Sequence, residues 1–377
     1  MNKHGGYLGN KEQVIDFSVN ISPFGPPESV KQGIMESLEA IEKYPSIDGE
    51  DYRYLLQKAF SLDKLDPRQL IIGNGAMELI YLFARSLKPK RVLLVQPTFN
   101  EYQRAFELAG TKVEYFILEE SSGFSIPEDQ LMKKLENLKP EALLLCSPNN
   151  PTGVYYEKKL LQRIAHVMST WEGILFVDES FEEFVLDEDL YGNEESTLFS
   201  AEDSSGDNTG SETAPLYNTG IMNMFILRSL TKFYGIPGLR LGYGIGHSSL
   251  IEKLLEHKEP WTVNTFAFKA LEKIVFEKEY PRHLTEWLKE EKNYLEKHFQ
   301  ELRNLGLIIY PSSVNFYLGK IPGISAKLLQ EKLLEAGIYI RTCEDFHGLD
   351  HEHFRFALRM RKDNEKLIQA LEKLLTD

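Results

Sequence analysis

Hydrophobic and polar positions follow two patterns over the first 250 residues or so. Short, uninterrupted hydrophobic runs bounded by Pro, Gly, Asn or Asp are typical of strands buried on both faces of a parallel sheet, and they occur at Arg91–Val95, Ala142–Cys146, Ile174–Val177 and Met224–Leu227. Between them, stretches such as Pro127–Leu138 and Lys158–Ser169 space their hydrophobic residues as a helix does. This alternation predicts an α/β domain that binds ligands at the carboxyl ends of its strands.

The pattern changes in the last third of the chain. A long charged helix is predicted over Glu279–Leu305, and short strands and helices follow at Leu307–Tyr310, Phe316–Leu318, Lys327–Ala336, Tyr339–Arg341, Phe354–Leu358 and Asp363–Leu375. A chain of 377 residues suits one large and one smaller domain. We therefore predict an N-terminal arm at 1–40 that packs with the small domain, a large α/β domain at 41–255, and a linker helix with a smaller α+β domain at 256–377.

One segment between two predicted core strands has an unusual composition. Asp187–Thr213 contains nine acidic residues and no Lys or Arg, together with many Ser, Gly, Asn and Thr residues. A loop of this length is uncommon inside a compact domain, and it has few hydrophobic residues to bury. The composition predicts a flexible acidic insertion, and a regulatory or partner-binding role is the alternative.

The overall composition limits the classes of function. The formal net charge of −14 argues against nucleic acid as a partner. The longest hydrophobic run, Leu79–Ala84, is much shorter than the roughly 18 residues of a membrane span, and Met1–Gly6 lack the hydrophobic region of a signal peptide. The two cysteines, Cys146 and Cys343, form neither a disulfide framework nor a CxxC metal site, so we expect no metal and a reducing, cytoplasmic location.

Candidate chemistry is concentrated around Lys232. This lysine follows a predicted strand, in the run Arg228–Gly242, which then becomes rich in glycine. A lysine that carries a carbonyl cofactor needs an amine of lowered pKa on a rigid mount. The hydroxyls of Ser229 and Thr231 and the guanidinium of Arg240 suit a phosphate monoester. Taken alone, however, a lysine after a strand is more often a surface residue.

Other candidate residues follow predicted strands or open helices. Asp178 ends a predicted strand and can pair with a protonated ring nitrogen, although an isolated aspartate there is more often a helix N-cap. Ser147–Gly153 is a good turn sequence, and Gly73–Glu78 leads into a helix whose first N–H groups can bind phosphate. Pro97–Tyr102 offers an aromatic ring at Tyr102, and such a ring is usually part of the core.

In this order, and over most of the chain, these motifs resemble the fold-type-I aminotransferases and their relatives. The resemblance implies pyridoxal 5′-phosphate (PLP) as the cofactor, Lys232 as the residue that carries it, and Asp178 as the partner of its pyridine nitrogen. It also implies an obligate homodimer with active sites at the subunit interface, where Tyr44 would reach the partner's cofactor phosphate. The other cofactor contacts that it implies are Ala76, Met77, Tyr102, Asn150, Ser229, Thr231 and Arg240.

Within that superfamily, the chain is similar to the subfamily of histidinol-phosphate aminotransferases and threonine-phosphate decarboxylases. Phe181 stands where the aminotransferases usually carry a tyrosine that donates a hydrogen bond to the cofactor, which phenylalanine cannot do. Ser22 departs from the decarboxylase pattern, which usually has a second asparagine there. The segments that resemble the decarboxylases are His4–Gly6 with Asp16–Asn20, Pro260–Asn264, and Ile340–Cys343 with Phe346–Leu349.

The resemblance therefore implies decarboxylation of L-threonine O-3-phosphate to (R)-1-amino-2-propanol phosphate and CO₂, a step of cobalamin biosynthesis. Arg355 would hold the substrate carboxylate, Arg341, His4 and Asn20 are candidates for its phosphate, and Asn150 would also contact it. Loss of CO₂ requires that the carboxylate be held out of the plane of the cofactor ring, which the sequence does not decide. The alternatives are transamination with 2-oxoglutarate, by a histidinol-phosphate or other amino-acid aminotransferase, and a non-catalytic sensor with the same fold.

Overall fold

A computed structural model describes residues 5–9, 14–60, 62, 64–186, 216 and 222–376. The first strand, β1 (Ile15–Asp16), belongs to the N-terminal arm. The larger sheet contains β2 (Leu70–Asn74), β3 (Arg91–Gln96), β4 (Lys112–Ile117), β5 (Ala142–Cys146), β6 (Ile174–Asp178), β7 (Met224–Ser229) and β8 (Leu241–Gly246). Their spatial order is β2-β8-β7-β6-β5-β3-β4, and β3 to β7 pair in parallel. The prediction of a mostly parallel α/β sheet is confirmed.

Both faces of this sheet are buried. In β5, Leu143 and Leu145 point into one hydrophobic cluster, whereas Leu144 and Cys146 point into the other. The central strands β3, β5, β6 and β7 therefore contain uninterrupted hydrophobic runs, which the sequence predicted, whereas the edge strands β2 and β4 were not predicted. The helices of this part of the chain are α1 (Glu28–Glu36), α2 (Glu50–Ala59), α3 (Gly75–Leu87), α4 (Glu101–Leu108), α5 (Glu128–Leu138), α6 (Lys158–Ser169), α7 (Leu230–Phe233), α8 (Ser248–Leu255) and α9 (Thr265–Ile274).

The strand β8 was not predicted, and it runs antiparallel to both of its neighbours, β2 and β7. Its glycines carry no hydrophobic signal, but close packing requires them. A Cβ atom on Gly244 would lie 2.4 Å from the ring of Phe225, and one on Gly242 would lie 2.8 Å from the backbone nitrogen of Ala76. Glycine is therefore required where β8 packs closely against its neighbours. Because glycine has no side chain, the sequence shows no hydrophobic pattern that would predict this strand.

The C-terminal part forms a second, smaller sheet. Its elements are α10 (Glu279–Asn304), β9 (Ile308–Ile309), β10 (Phe316–Lys320), α11 (Ala326–Glu335), β11 (Ile338–Tyr339), β12 (Arg341–Thr342), β13 (His353–Ala357) and α12 (Arg361–Thr376). Four of the strands form an antiparallel sheet in the order β12-β13-β10-β9. The single strand predicted at Tyr339–Arg341 was wrong, because Tyr339 pairs with the N-terminal arm and Arg341 with β13. Among the residues that the structure describes, no helix is both long and apolar enough to cross a membrane.

The N-terminal arm joins the two sheets. β1 pairs in parallel with β11 in a separate two-stranded sheet, where Ile15 lies opposite Ile338, and the carbonyl of Phe17 accepts a hydrogen bond from the backbone N–H of Ala357 in the small sheet. Farther along the arm, the backbone N–H of Ser22 donates a hydrogen bond to the carbonyl of Lys232, with a nitrogen–oxygen distance of 2.8 Å. The arm thus contacts both the small sheet and the helix that carries the candidate lysine. The domain boundaries at residues 40 and 255 stay predictions, and the acidic segment 187–213 and His4 lie outside the described residues.

Candidate active site

A cavity of about 380 Å³ lies where the carboxyl ends of β6 and β7 face the small sheet and the arm. Most of the predicted site residues line it: Asn20, Ala76, Met77, Tyr102, Asn150, Asp178, Ser229, Thr231, Lys232, Arg240, Arg341 and Arg355. Tyr44 does not. It is 83% exposed, and its ring lies 5.1 Å from that of Trp261, measured between centroids. The second subunit that Tyr44 is predicted to reach would have to bind over this surface.

Lys232 lies on the single-turn helix α7, directly after β7. Its ammonium nitrogen lies 4.8 Å from the centroid of the Phe181 ring, a contact that stabilises a cation without supplying a counter-anion. Burial lowers the pKa of Lys232, and the Asp178 carboxylate opposes this shift. The neutral amine, which is the nucleophilic form, is therefore more accessible here than on an exposed lysine.

Asp178 is buried at the end of β6, and two donors fix its carboxylate. The hydroxyl of Tyr102 donates to Oδ2 at 2.6 Å, and the backbone N–H of Ser180 donates to Oδ1 at 2.8 Å. The second bond closes a turn, and Asp178 is not the helix N-cap that an isolated aspartate there would suggest, because the next short helix, at Glu182–Phe184, has Phe181 at its N-cap. The first bond was not predicted, because Tyr102 was expected to offer only its ring. Burial, with Asp178 as the next contribution, raises the pKa of Tyr102, so its hydroxyl stays a donor.

Hydrogen-bond donors converge where α3 begins. Gly75 has a φ of +75°, and a Cβ atom there would lie 2.3 Å from a terminal nitrogen of Arg240. The missing side chain thus lets the guanidinium reach the N-terminus of the helix, whose N–H groups favour anions. The hydroxyl oxygens of Ser229 and Thr231 lie 2.9 Å apart. One hydroxyl hydrogen joins the two oxygens, so the other is left for a ligand.

Two arginines approach from the small sheet. Arg341 and Arg355 are direct cross-strand partners on β12 and β13. Among the residues that the structure describes, Arg355 donates only to uncharged acceptors, the Asn150 Oδ1 atom and the Ser18 carbonyl, and its buried Nε atom has no hydrogen-bond partner there. Burial lowers the pKa of Arg355 to about 10, and Arg341 adds to the shift. A buried guanidinium without a carboxylate partner among the described residues suits the carboxylate of a ligand.

Arg341 has a different environment. Its Nη2 atom donates to both carboxylate oxygens of Asp345, at 2.7 and 2.9 Å. The side-chain amide of Asn100 donates to Asp345 as well, at 3.1 Å to Oδ2 and 3.0 Å to the carbonyl. Asp345 was not predicted. Its position four residues after Arg341 is the only signal that the sequence offered, and it depends on a turn whose shape the sequence does not reveal.

A second contact that was missed involves the aromatic residue Phe316 of β10. The Arg355 guanidinium carbon lies 5.5 Å from the centroid of the Phe316 ring. Phe316 in turn packs edge-on against Phe181, with centroids 5.1 Å apart and ring planes at 72°. In the sequence, Phe316 was read only as part of a buried strand.

The described residues fit PLP. The amine of Lys232 suits its aldehyde, and the Asp178 carboxylate suits a protonated ring nitrogen. The start of α3, with Arg240 and the hydroxyls of Ser229 and Thr231, suits its phosphate. These assignments of individual residues to the cofactor stay predictions.

Comparisons with known proteins agree with this fit. A family model described as "Aminotransferase class I and II" matches residues 12–374. A provisionally named threonine-phosphate decarboxylase of Caldanaerobacter subterraneus is 38% identical and aligns with 94% of this chain and 89% of its own length. The threonine-phosphate decarboxylase of Salmonella typhimurium is 35% identical over 97% of this chain and 92% of its own.

Among solved structures, the histidinol-phosphate aminotransferase of Clostridium acetobutylicum superposes with a TM-score of 0.79 at 27% identity. The superposition covers 96% of this chain and 98% of that one. The similarity in sequence and the similarity in fold thus both extend over nearly the whole chain. The chain belongs to the class I and II aminotransferase family, and it is a PLP-dependent enzyme.

Proposed function

We propose that the enzyme decarboxylates L-threonine O-3-phosphate to (R)-1-amino-2-propanol phosphate and CO₂, and that this product enters cobalamin biosynthesis. The observation that carries the proposal is the pair of arginines, Arg341 and Arg355, that line one cavity with Lys232. A substrate with one carboxylate and one phosphate needs two such cations. The names of the two decarboxylase relatives support the same substrate.

When bound, PLP supplies an aldehyde for the substrate amine and a ring that withdraws electrons from the α-carbon. Asp178, held by Tyr102 and Ser180, would keep a proton on the ring nitrogen, so that the ring stays electron-poor. Lys232, with its lowered pKa, can accept a proton at Nζ and return it. Because it lies against an apolar ring, few other groups compete for that proton.

Arg355 would determine which bond breaks. Its planar fork can hold a carboxylate at a fixed angle, and the bond that stands perpendicular to the cofactor ring is the one that is weakened. The Asn150 amide and the Ser18 carbonyl fix the guanidinium from two sides. Arg341 would bind the substrate phosphate together with Asn20, which lines the same cavity and could donate to the phosphate from its side-chain NH₂ group.

Transamination of histidinol phosphate is the second candidate, and the structural similarity to a histidinol-phosphate aminotransferase favours it. Lys232 and Asp178 would have the same roles in both reactions. Histidinol phosphate has no carboxylate, so its transamination breaks the bond from the α-carbon to hydrogen, whereas decarboxylation of threonine phosphate breaks the bond from the α-carbon to the carboxylate carbon.

We also propose that the enzyme is a cytoplasmic homodimer with composite active sites. A set of large hydrophobic side chains is exposed near the N-terminal part of the chain: Met35, Leu38, Ile41, Tyr44, Ile47, Tyr54 and Trp261. Exposed hydrophobic surface of this kind is typical of subunit interfaces. A second copy that covers it would bring Tyr44 into an interface, where it could reach the partner's cofactor phosphate.

The deciding experiment offers threonine phosphate to the PLP-loaded enzyme and measures CO₂ and keto acid separately. Serine phosphate, and histidinol phosphate with 2-oxoglutarate, are tested in parallel. We expect CO₂ from threonine phosphate and little or no product from histidinol phosphate. Rapid transamination of histidinol phosphate, without CO₂ from threonine phosphate, would replace the first proposal by the second.

A further inference from the structure

Two phenylalanine rings, Phe181 and Phe316, lie between the Lys232 amine and the Arg355 guanidinium. Lys232 lies over the first ring at 4.8 Å, and the Arg355 guanidinium lies over the second at 5.5 Å. The rings touch edge to face, and neither is more than 3% exposed. The face of a ring attracts a cation but has no donor or acceptor that could compete with a ligand.

The position of Phe316 follows from the register of the small sheet. Leu318 of β10 lies directly opposite Arg355 of β13, and Phe316 lies opposite Ala357. Side chains two residues apart point to the same face of a strand, so Phe316 is the diagonal neighbour of Arg355 on the cavity face. Tyr317 and Phe356 point to the other face, where they pack against Phe299 of α10.

Arg355 is therefore fixed on three sides by uncharged groups. The Asn150 Oδ1 atom accepts from one terminal nitrogen, the Ser18 carbonyl accepts from the other at 2.9 Å, and the guanidinium carbon lies over the Phe316 ring, 5.5 Å from its centroid. The Nε atom alone is buried without a hydrogen-bond partner in the described part of the chain. The two polar contacts hold the terminal nitrogens of the guanidinium, and the Phe316 ring is a third neighbour that limits its movement.

We propose that Phe316 is a positioning residue that fixes the plane of the Arg355 guanidinium and, through it, the angle at which a substrate carboxylate is held. This inference rests on the proposed function only in assigning a carboxylate to Arg355. Replacing Phe316 with leucine keeps a hydrophobic side chain but removes the flat surface. The guanidinium would keep its charge and gain freedom to tilt.

The first test measures how much a carboxylate group adds to the affinity of a ligand, under conditions in which no reaction occurs. Isothermal titration of the PLP-loaded enzyme compares 3-phosphoglycerate, which has a carboxylate and a phosphate but no amine, with glycerol 3-phosphate, which lacks the carboxylate. We expect the wild type to prefer 3-phosphoglycerate, and Phe316→Leu to reduce this preference on the order of fivefold. Because both ligands bind the same variant, a general loss of stability cancels.

Phe356→Leu is the matched control, since it removes the same atoms from the opposite face of the same sheet. It should leave the preference within about twofold of the wild type. If Phe316→Leu does not fold, Phe316→Met with Phe356→Met as control replaces the pair, because methionine fills similar volume without a flat face. An unchanged preference in the Phe316 variants, an equal loss in the Phe356 control, or a wild type without preference for the carboxylate would each overturn the proposal.

The second test follows the fate of threonine phosphate. We expect Phe316→Leu to lower the ratio of CO₂ to abortive transamination, seen as conversion of the cofactor to its amine form, by on the order of fivefold. A wild type that releases no CO₂ would refute the proposed function, while the titration would still decide the role of Phe316. A wild type that releases CO₂, with a ratio that Phe316→Leu does not change, would refute the positioning role alone.

Discussion

Replacing Asp178 with asparagine tests the electron-withdrawing role of the cofactor ring. The amide has nearly the shape of the carboxylate, and its oxygen can still accept from the Ser180 N–H. Its nitrogen then faces the Tyr102 hydroxyl, which can rotate to accept instead of donate. We therefore expect the variant to fold and to bind PLP. Any loss of activity would then reflect a slower chemical step and not a loss of folding or of cofactor binding.

The magnitude follows from the charge that is lost. A hydrogen bond to a charged group contributes about 1.5–3 kcal/mol, and each ~1.4 kcal/mol changes a rate by about tenfold. Asp178 is 4% exposed, so its pairing with a ring nitrogen would lie near or above the upper end of that range. We expect kcat/KM to fall by about 100-fold or more.

The assay combines turnover with a measurement of Lys232. Since Asp178 raises the pKa of Lys232 against the effect of burial, the variant should attach PLP covalently at a lower pH than the wild type. Tyr102→Phe is the matched control, because it removes one donor but leaves the charge, and we expect a loss of no more than about tenfold. Turnover of Asp178→Asn within threefold of the wild type, with no change in the attachment pH, would refute the reasoning.

Three further predictions concern other residues. Lys232→Ala should lose the visible absorbance that borohydride bleaches in the wild type, and its turnover should fall by several orders of magnitude; retained turnover would exclude Lys232 as the attachment point. Arg341→Ala should raise KM for threonine phosphate about 10- to 100-fold with little change in kcat, and steady-state kinetics that show the reverse would contradict phosphate binding. Tyr44→Phe should weaken PLP binding about tenfold while light scattering still reports a dimer, and unchanged affinity would remove Tyr44 from the phosphate site.

The sequence predicted the central strands β3, β5, β6 and β7 of the large sheet because these strands are buried on both faces, but it did not predict the edge strands β2 and β4. The strands β5 and β6 are hydrophobic without interruption, and their observed bounds differ from the prediction by at most one residue. The strand β8 was missed for the opposite reason, since its alternate glycines are needed where the backbone approaches Phe225 and Ala76. A pattern of hydrophobic residues indicates which segments are buried. It cannot indicate a buried strand whose residues are glycines, because these have no hydrophobic side chain.

The sequence predicted individual residues of the candidate site but not the contacts between their side chains. Lys232 and Asp178 could be named because each follows a strand, and the carboxyl ends of parallel strands share one edge. The bond from Tyr102 to Asp178, and the contact of Phe316 with Arg355, join residues that are far apart in the chain. The first contact depends on how α4 packs against the large sheet, and the second depends on the register between β10 and β13, and no local pattern contains either.

The pairing of the N-terminal arm has a consequence for the order of folding during synthesis. Ile15 leaves the ribosome long before its partner Ile338. The strands of the large sheet can pair long before that, because their partners are closer in sequence. The arm residue Ser18, whose carbonyl accepts a hydrogen bond from Arg355, can make this contact only when β13 has been made. A nascent chain can thus hold a folded cofactor domain while its substrate site is still open, so premature termination would yield a protein that binds PLP without turning over substrate.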